Sequence, residues 1–204
     1  MTNPLLVLIG LLAGSIPFGY LAGRMLQDID LRSVGSGGTG ATNVLRTLGK
    51  KASVTVLVLD FQKGLLPVIA ARWLGLDEPW VAAVAVATVV GHCWSPFIGF
   101  KGGKGVATGG GAAIALFPPV LLVVPVVLLV IWQSRYVSLG SLIGAGLAVA
   151  LAAAFALAGQ VPWAYVIAIA VIAAIIVFRH RENIDRLRSG SERRFGQKVQ
   201  LSIE

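Results

Sequence analysis

The chain has 204 residues, 56% of them hydrophobic and 13% charged, and its mean hydropathy is +0.84. Soluble domains are about 45–50% apolar and about 25% charged, so too little polar surface remains to clothe a water-soluble core, and the chain reads as an integral membrane protein. Cys93 is the single cysteine, which excludes an intrachain disulfide scaffold. The balance of 17 Lys plus Arg against 9 Asp plus Glu, a net charge of +8, suits phosphorylated substrates or anionic lipid head groups. Nucleic acid is the poorer fit, because the basic residues lie in short loops between apolar stretches and form no continuous groove.

Apolar stretches run over residues 4–22, 52–74, 80–100, 112–132, 137–158 and 162–178. Each approaches the roughly 20 residues that cross a bilayer. The first has no basic region before it and no small-residue cleavage site after it, so it is expected to stay as a membrane helix rather than leave as a signal peptide. Lys and Arg gather in segment 24–51, after Phe100 and in the tail from Arg179, which places these three on the cytoplasmic side. The segments 75–79 and 159–162 carry no basic residue and read as outside. For this pattern to close, the stretch 112–132 must cross twice or not at all. Pro118 and Pro119 offer the break, since proline lacks an amide donor and clashes with the preceding turn. The expectation is therefore an all-α polytopic protein of about seven membrane helices. Two of these are short, near 105–117 and 119–132, with the amino terminus outside and the carboxyl terminus cytoplasmic. Residues 1–204 form one membrane-embedded domain with a basic tail from about residue 180. The tryptophans near the span ends fit interfacial belts, and the glycines and alanines of 140–159 fit close helix packing.

The first inside loop places Gly35, Gly37, Gly38 and Gly40 among Ser36, Thr39, Thr42, Asn43 and Arg46. Bare amides and hydroxyls can cradle a phosphate, and an arginine can add a bidentate charge. Gly35 to Gly40 also matches GxGxxG, but a dinucleotide fingerprint needs a preceding strand and a βαβ unit, and here a membrane helix precedes it. Asp60 and Lys63 share a helix face inside an apolar span, which reads equally as a packing ion pair or as a substrate contact for Lys63. The loop after Phe100 brings Gly102, Gly103, Lys104 and Gly105 to the start of a short helix, whose amino terminus favours anions. Walker A spacing fails there, with Ile98 at the first glycine position and Gly105 at the Ser/Thr position. His92 and Cys93 read as packed residues, because no third member of a nucleophile set accompanies them. His180 and Asn183 can share a helix face where the last span ends. The HxxxxD spacing of His180 and Asp185 is a weak match, since the aspartate would lie roughly 140° round a continuing helix. His92 and His180 lack the further ligands a metal site needs. A basic stop-transfer tail with an incidental histidine is the plain alternative.

Together these blocks resemble the acyl-phosphate:glycerol-3-phosphate acyltransferase family of bacterial membranes, the PlsY family. The resemblance runs from the first helix to about Glu192. It rests on Gly35-Ser36-Gly37 through Ala41-Thr42-Asn43 with Arg46, on Asp60 with Lys63-Gly64, on Gly91-His92 with Pro96, on Phe100 with Gly102-Gly103-Lys104-Gly105-Val106-Ala107-Thr108, and on His180-Arg181-Glu182-Asn183-Ile184. Gly38 departs from the pattern, which usually has asparagine there.

The resemblance implies transfer of a fatty acyl group from acyl phosphate to glycerol 3-phosphate. The products would be lysophosphatidic acid and inorganic phosphate, formed at the cytoplasmic face of the bacterial inner membrane. It implies catalytic roles for His180, Asn183, Ser36 and Arg46, and substrate binding by Thr42, Asn43, Lys63, Gly102, Gly103, Lys104, Gly105, Ser138 and Ser141. On this reading Ser36, Thr42, Asn43 and Arg46 hold one phosphate, the loop from Gly102 to Gly105 holds another, and His180 with Asn183 orients the attacking hydroxyl or the carbonyl. An acyl phosphate is already activated, so no acyl-enzyme, cofactor or metal is expected. The partners implied are the two substrates, membrane lipid and a transiently docked soluble acyl-phosphate synthase. Two rivals come from other classes. An organophosphate transporter would show repeated halves and broken helices at the midplane, and a noncatalytic lipid-binding scaffold would need the basic tail but not the two glycine loops.

Overall fold

The computed structural model describes residues 2–197, among which there is no strand. Its helices are α1 (Thr2–Ser15), α2 (Phe18–Gln27), α3 (Ala41–Thr47), α4 (Lys50–Trp73), α5 (Glu78–Cys93), α6 (Val106–Leu116), α7 (Val124–Ser134), α8 (Val137–Leu157), α9 (Trp163–Arg179) and α10 (Arg181–Arg188). Short 3-10 turns lie at Pro96–Ile98 and Pro118–Val123.

Four helical stretches are long and apolar enough to cross a membrane: Asn3–Gln27, Lys50–Trp73, Glu78–Ile98 and Val137–Leu157. α9 with α10, joined across a 59° bend, makes a fifth. The remaining apolar segments, Val106–Leu116 and Pro118–Ser134, are shorter. At 1.5 Å per residue α6 reaches only about 16 Å, roughly half the hydrocarbon thickness. The break falls where the proline pair predicts it. Its second half differs from expectation, running as a 3-10 turn through Val123 before α7 begins, because Pro118, Pro119 and Pro125 each withhold an amide from the i→i−4 ladder. A second break, at Ile16 and Pro17, divides the first span into α1 and α2.

In lipid, helices associate through close packing rather than through hydrophobic transfer. α1 lies along α5, α4 along α6, and α9 against both α5 and α8. Small residues permit the closest crossings: a Cβ at Gly14 would overlap the Thr88 backbone, and one at Gly64 would overlap the Thr108 backbone. Val81, Val84, Ala85, Val89, Ala112, Leu116, Ile169 and Ile172 fill the interior. Leu5, Leu8, Leu57, Leu121, Leu122 and Leu128 face outward, where lipid takes the place of water. The free carbonyl end of the short α6 is capped by Arg72 at the far end of α4, whose Nη1 donates to the Ala115 carbonyl at 2.6 Å.

Candidate active site

The residues of the first inside loop are organised around Asn43. Its Oδ1 accepts the Ser36 amide at 2.9 Å, and its Nδ2 donates towards the carbonyls of Leu31, Val34 and Gly38 at 2.9–3.1 Å. A buried side-chain amide thus replaces the secondary structure the loop lacks. Beneath it Leu31, Val44 and Val56 form a small apolar cluster of their own. The loop presents Ser36, Gly38, Thr42 and Arg46 to a cavity of about 210 Å³.

The glycine loop before α6 doubles back along the end of α5. The Gly102 amide donates to the Cys93 carbonyl and the Gly103 amide to the His92 carbonyl, both at 3.2 Å. These are carbonyls that a helix end leaves without intrahelical partners. Glycine is required by contact: a Cβ at Gly102 would overlap the His92 carbonyl, and one at Gly103 the His92 ring. Lys104, Gly105, Val106 and Ala107 then reach the cavity at the amino terminus of α6. Gly105 takes the left-handed conformation, φ 81°, that turns the chain into the helix.

The opposite wall comes from the end of α9 and from α10. His180 Nδ1 lies 2.8 Å from the Ile176 carbonyl, so Nδ1 bears a proton; burial pushes the imidazolium down to about 4, and the neutral ring offers Nε2 as an acceptor. Asn183 Oδ1 accepts from Lys104 Nζ at 2.5 Å, and its Nδ2 donates to Glu192 Oε1 at 2.7 Å. Glu192 also accepts from Ser138 Oγ at 2.9 Å and Arg186 Nε at 2.9 Å. Hydrogen bonds from Asn183, Arg186 and Ser138 outweigh burial and hold the Glu192 carboxyl below its usual value. Past Glu192 and Arg193, which line the cavity, the tail reaches the turn after α7, where the Phe195 amide donates to the Arg135 carbonyl at 2.6 Å.

The electrostatics favour an anion. Burial is the largest influence on Lys104, pushing its ammonium from 10.5 down to about 8, with Glu192 pulling the other way. Burial and the neighbouring Arg193 also disfavour the charged form of Arg46, whose Nε is buried without a hydrogen-bond partner among the described residues. Two desolvated cations thus flank a cavity whose two carboxylates are already engaged, Asp60 by Lys63 and Glu192 by Arg186.

A second, apolar hollow of about 180 Å³ runs between α6, α7, α8 and α9. It is lined by Gly109, Gly110, Ala113, Ile114, Val120, Val123, Val127, Ala148, Ile169 and Ile172, and it meets the polar cavity at Val106 and Ser141.

Of the residues singled out in the sequence, Ser36, Thr42, Asn43, Arg46, Gly103, Lys104, Gly105, Ser138, Ser141, His180 and Asn183 share the cavity wall. Three of the residues expected to bind substrate make protein contacts instead of, or as well as, facing the cavity. Lys63 lies off the wall: its Nζ pairs with Asp60 Oδ1 at 2.7 Å and donates to the Ile16 carbonyl at 2.6 Å, so it caps the proline break of the first span. Gly102 is also off the wall, and the amides of Gly102 and Gly103 are already bonded within the protein. The Asn43 side chain likewise turns its hydrogen-bonding groups to the loop itself. Asp60 and His92 do reach the wall, with His92 Nδ1 3.6 Å from Asp60 Oδ1. Glu192 was missed. Its one signal is that it is the sole acid among the basic residues 186–198, and only the folded tail brings it to Asn183.

Apolar spans of membrane length around a cavity flanked by Arg46 and Lys104 define an integral membrane protein of the all-helical class. The glycerol-3-phosphate acyltransferase family model matches residues 4–190. A glycerol-3-phosphate acyltransferase of Rubrobacter xylanophilus is 48% identical over 198 residues, covering 96% of each chain. One of Geobacter sulfurreducens is 45% identical, covering 96% of this chain and 99% of its own. Among solved structures, the glycerol 3-phosphate form of PlsY, an integral membrane glycerol 3-phosphate acyltransferase, superposes with a TM-score of 0.89 at 43% identity, covering 96% of each chain. The lysophosphatidic acid form gives 0.86 at 41% identity, covering 97% of each chain. The chain belongs to the glycerol-3-phosphate acyltransferase family.

Proposed function

We propose that this protein transfers a fatty acyl group from acyl phosphate to a hydroxyl of glycerol 3-phosphate, forming lysophosphatidic acid and inorganic phosphate. The observation that carries the reading is the shared wall at Val106 and Ser141, where a cavity flanked by Arg46 and Lys104 adjoins an apolar hollow. A substrate with a charged head and a hydrocarbon tail needs both, side by side.

In the reaction the glycerol 3-phosphate oxygen attacks the acyl carbonyl carbon. A C–O ester bond forms, the C–O bond to the phosphate breaks, and the hydroxyl proton ends on the released phosphate. Positioning and charge stabilisation are the work left to the protein, because the donor is already activated. Arg46, with Ser36 and Thr42, holds one phosphate. Lys104 and the amides of Lys104, Gly105 and Val106 hold the other, at a helix amino terminus suited to anions. His180 Nε2 accepts from the attacking hydroxyl, and Asn183 aligns it through its bridge between Lys104 and Glu192. Ser138 and Ser141 complete the wall, with Ser141 at the junction with the hollow that takes the acyl chain.

The basic residues Arg32, Arg46, Lys101, Lys104, Arg135, Arg181 and Arg186 belong to the segments that meet at the cavity, whereas Arg72 stands alone at the opposite end of α4. By the positive-inside rule the cavity faces the cytoplasm of a bacterial inner membrane, with the amino terminus outside. The same basic face suits a soluble acyl-phosphate synthase delivering its product.

The test supplies purified, detergent-solubilised protein with glycerol 3-phosphate and, in parallel, fatty acyl phosphate, acyl-CoA or acyl-carrier protein. Equimolar lysophosphatidic acid and phosphate from acyl phosphate alone are expected. Product from acyl-CoA would overturn the donor assignment. No product from any donor in folded protein would leave organophosphate transport as the better reading.

A further inference from the structure

Arg179, the last residue of α9, lies outside every role given so far. Its Nε donates to the Gly103 carbonyl at 3.1 Å and its Nη2 to the Gly102 carbonyl at 2.9 Å, while the guanidinium rests over the Trp94 ring, 5.6 Å from its centroid. The amides of the same two glycines are bonded to the carbonyls of Cys93 and His92. The peptide group joining Gly102 to Gly103 is therefore held at both ends, its oxygen by Arg179 and its nitrogen by His92.

A trans peptide is planar, with its C=O and N–H pointing in opposite directions. Fixing the Gly103 oxygen against Arg179 therefore aims the Lys104 N–H away from it, and Lys104 itself lines the cavity. The Lys104 and Gly105 amides have no hydrogen-bond partner among the described residues. Two glycines in succession would otherwise let these planes rotate freely. The rigid fork presents Nε and Nη2 to two adjacent carbonyls at a fixed spacing that the single nitrogen of a flexible ammonium does not reproduce, so lysine is no conservative substitute for arginine here.

We propose that Arg179 is a positioning residue: clamped on the Gly102 and Gly103 carbonyls, it sets the peptide planes that direct the Lys104 amide at a substrate phosphate. This rests on the proposed phosphate role of that loop.

The test uses the full chain in detergent, with Arg179→Lys, Arg179→Gln and, as a milder variant that keeps the fork but removes its support, Trp94→Leu. Hydrogen exchange without substrate reads the clamp: Arg179→Lys should speed exchange of the Gly102 and Gly103 amides at least about tenfold, with Trp94→Leu between it and the parent. In steady-state assays Arg179→Lys should raise KM for one phosphorylated substrate about tenfold and leave kcat within about threefold. Unchanged exchange in Arg179→Lys overturns the proposal. Restoration of KM by Arg179→Lys but not Arg179→Gln also overturns it, since charge alone would then suffice. Should neither Arg179 variant fold, Trp94→Leu decides through the same exchange measurement. Because the exchange arm contains no substrate, an absence of product from the parent protein strikes the proposed reaction and not the clamp.

Discussion

Replacing Lys104 by methionine keeps most of the side chain's length and apolar stem and removes its charge. Nζ stands 2.5 Å from Asn183 Oδ1 on the cavity wall. A hydrogen bond to a charged group contributes about 1.5–3 kcal/mol, and about 1.36 kcal/mol is a factor of ten in rate. Lys104→Met should therefore lower kcat/KM for glycerol 3-phosphate roughly 10- to 150-fold in an assay of released phosphate. The pH dependence is a second reading of the same group. Burial brings its pKa down to about 8, so the free protein loses this proton as pH rises through that value, and kcat/KM falls above it, approaching tenfold per pH unit. A bound phosphate favours the ammonium, so kcat at saturation holds to higher pH. Lys104→Arg keeps its charge throughout and should abolish the decline. For stability the sign is opposite. The unfolded chain holds the proton up to about 10.5, so stability rises as pH increases from about 8 towards that value. A Lys104→Met protein within about threefold of its parent, or a level kcat/KM profile from pH 7 to 9.5, would refute the reasoning.

The other expectations concern packing around the two hollows. In Gly103→Ala the added methyl overlaps the His92 ring, an overpacking strain of about 1–3 kcal/mol, and kcat/KM should fall roughly 5- to 150-fold; an unaffected enzyme would show that the loop shifts freely. Arg72→Met leaves the Ala115 carbonyl without its donor inside the bilayer, and reversible unfolding in detergent should show a loss of about 1–3 kcal/mol with kcat nearly unchanged in the folded fraction. Gly110 lines the apolar hollow with nothing within 4 Å of where a Cβ would stand. Gly110→Leu should thus fold normally and discriminate against palmitoyl relative to octanoyl phosphate; equal losses with both donors would place the acyl chain elsewhere.

Composition and hydropathy alone carried the membrane class and most helix positions, because each residue in lipid answers to its own transfer free energy and each backbone group must bond locally. Pro118 and Pro119 marked the broken segment for the same local reason. The residue types of the site were also legible: hydroxyls, bare glycines and cations in three loops are what phosphate chemistry requires. Which atom does what was decided only by tertiary structure. Glycine at 102 and 103 reads in sequence as free amide, yet the end of α5 takes both amides and the His92 ring and carbonyl forbid a side chain. Lys63 reads as a charge for substrate, yet its ammonium is engaged by the Ile16 carbonyl, 47 positions earlier, at the break before Pro17. Glu192 and Arg179 read as ordinary tail charges until α10 turns by 59° at His180. Hydrogen bonds between such distant positions depend on where whole helices end and cross, and no local pattern encodes that.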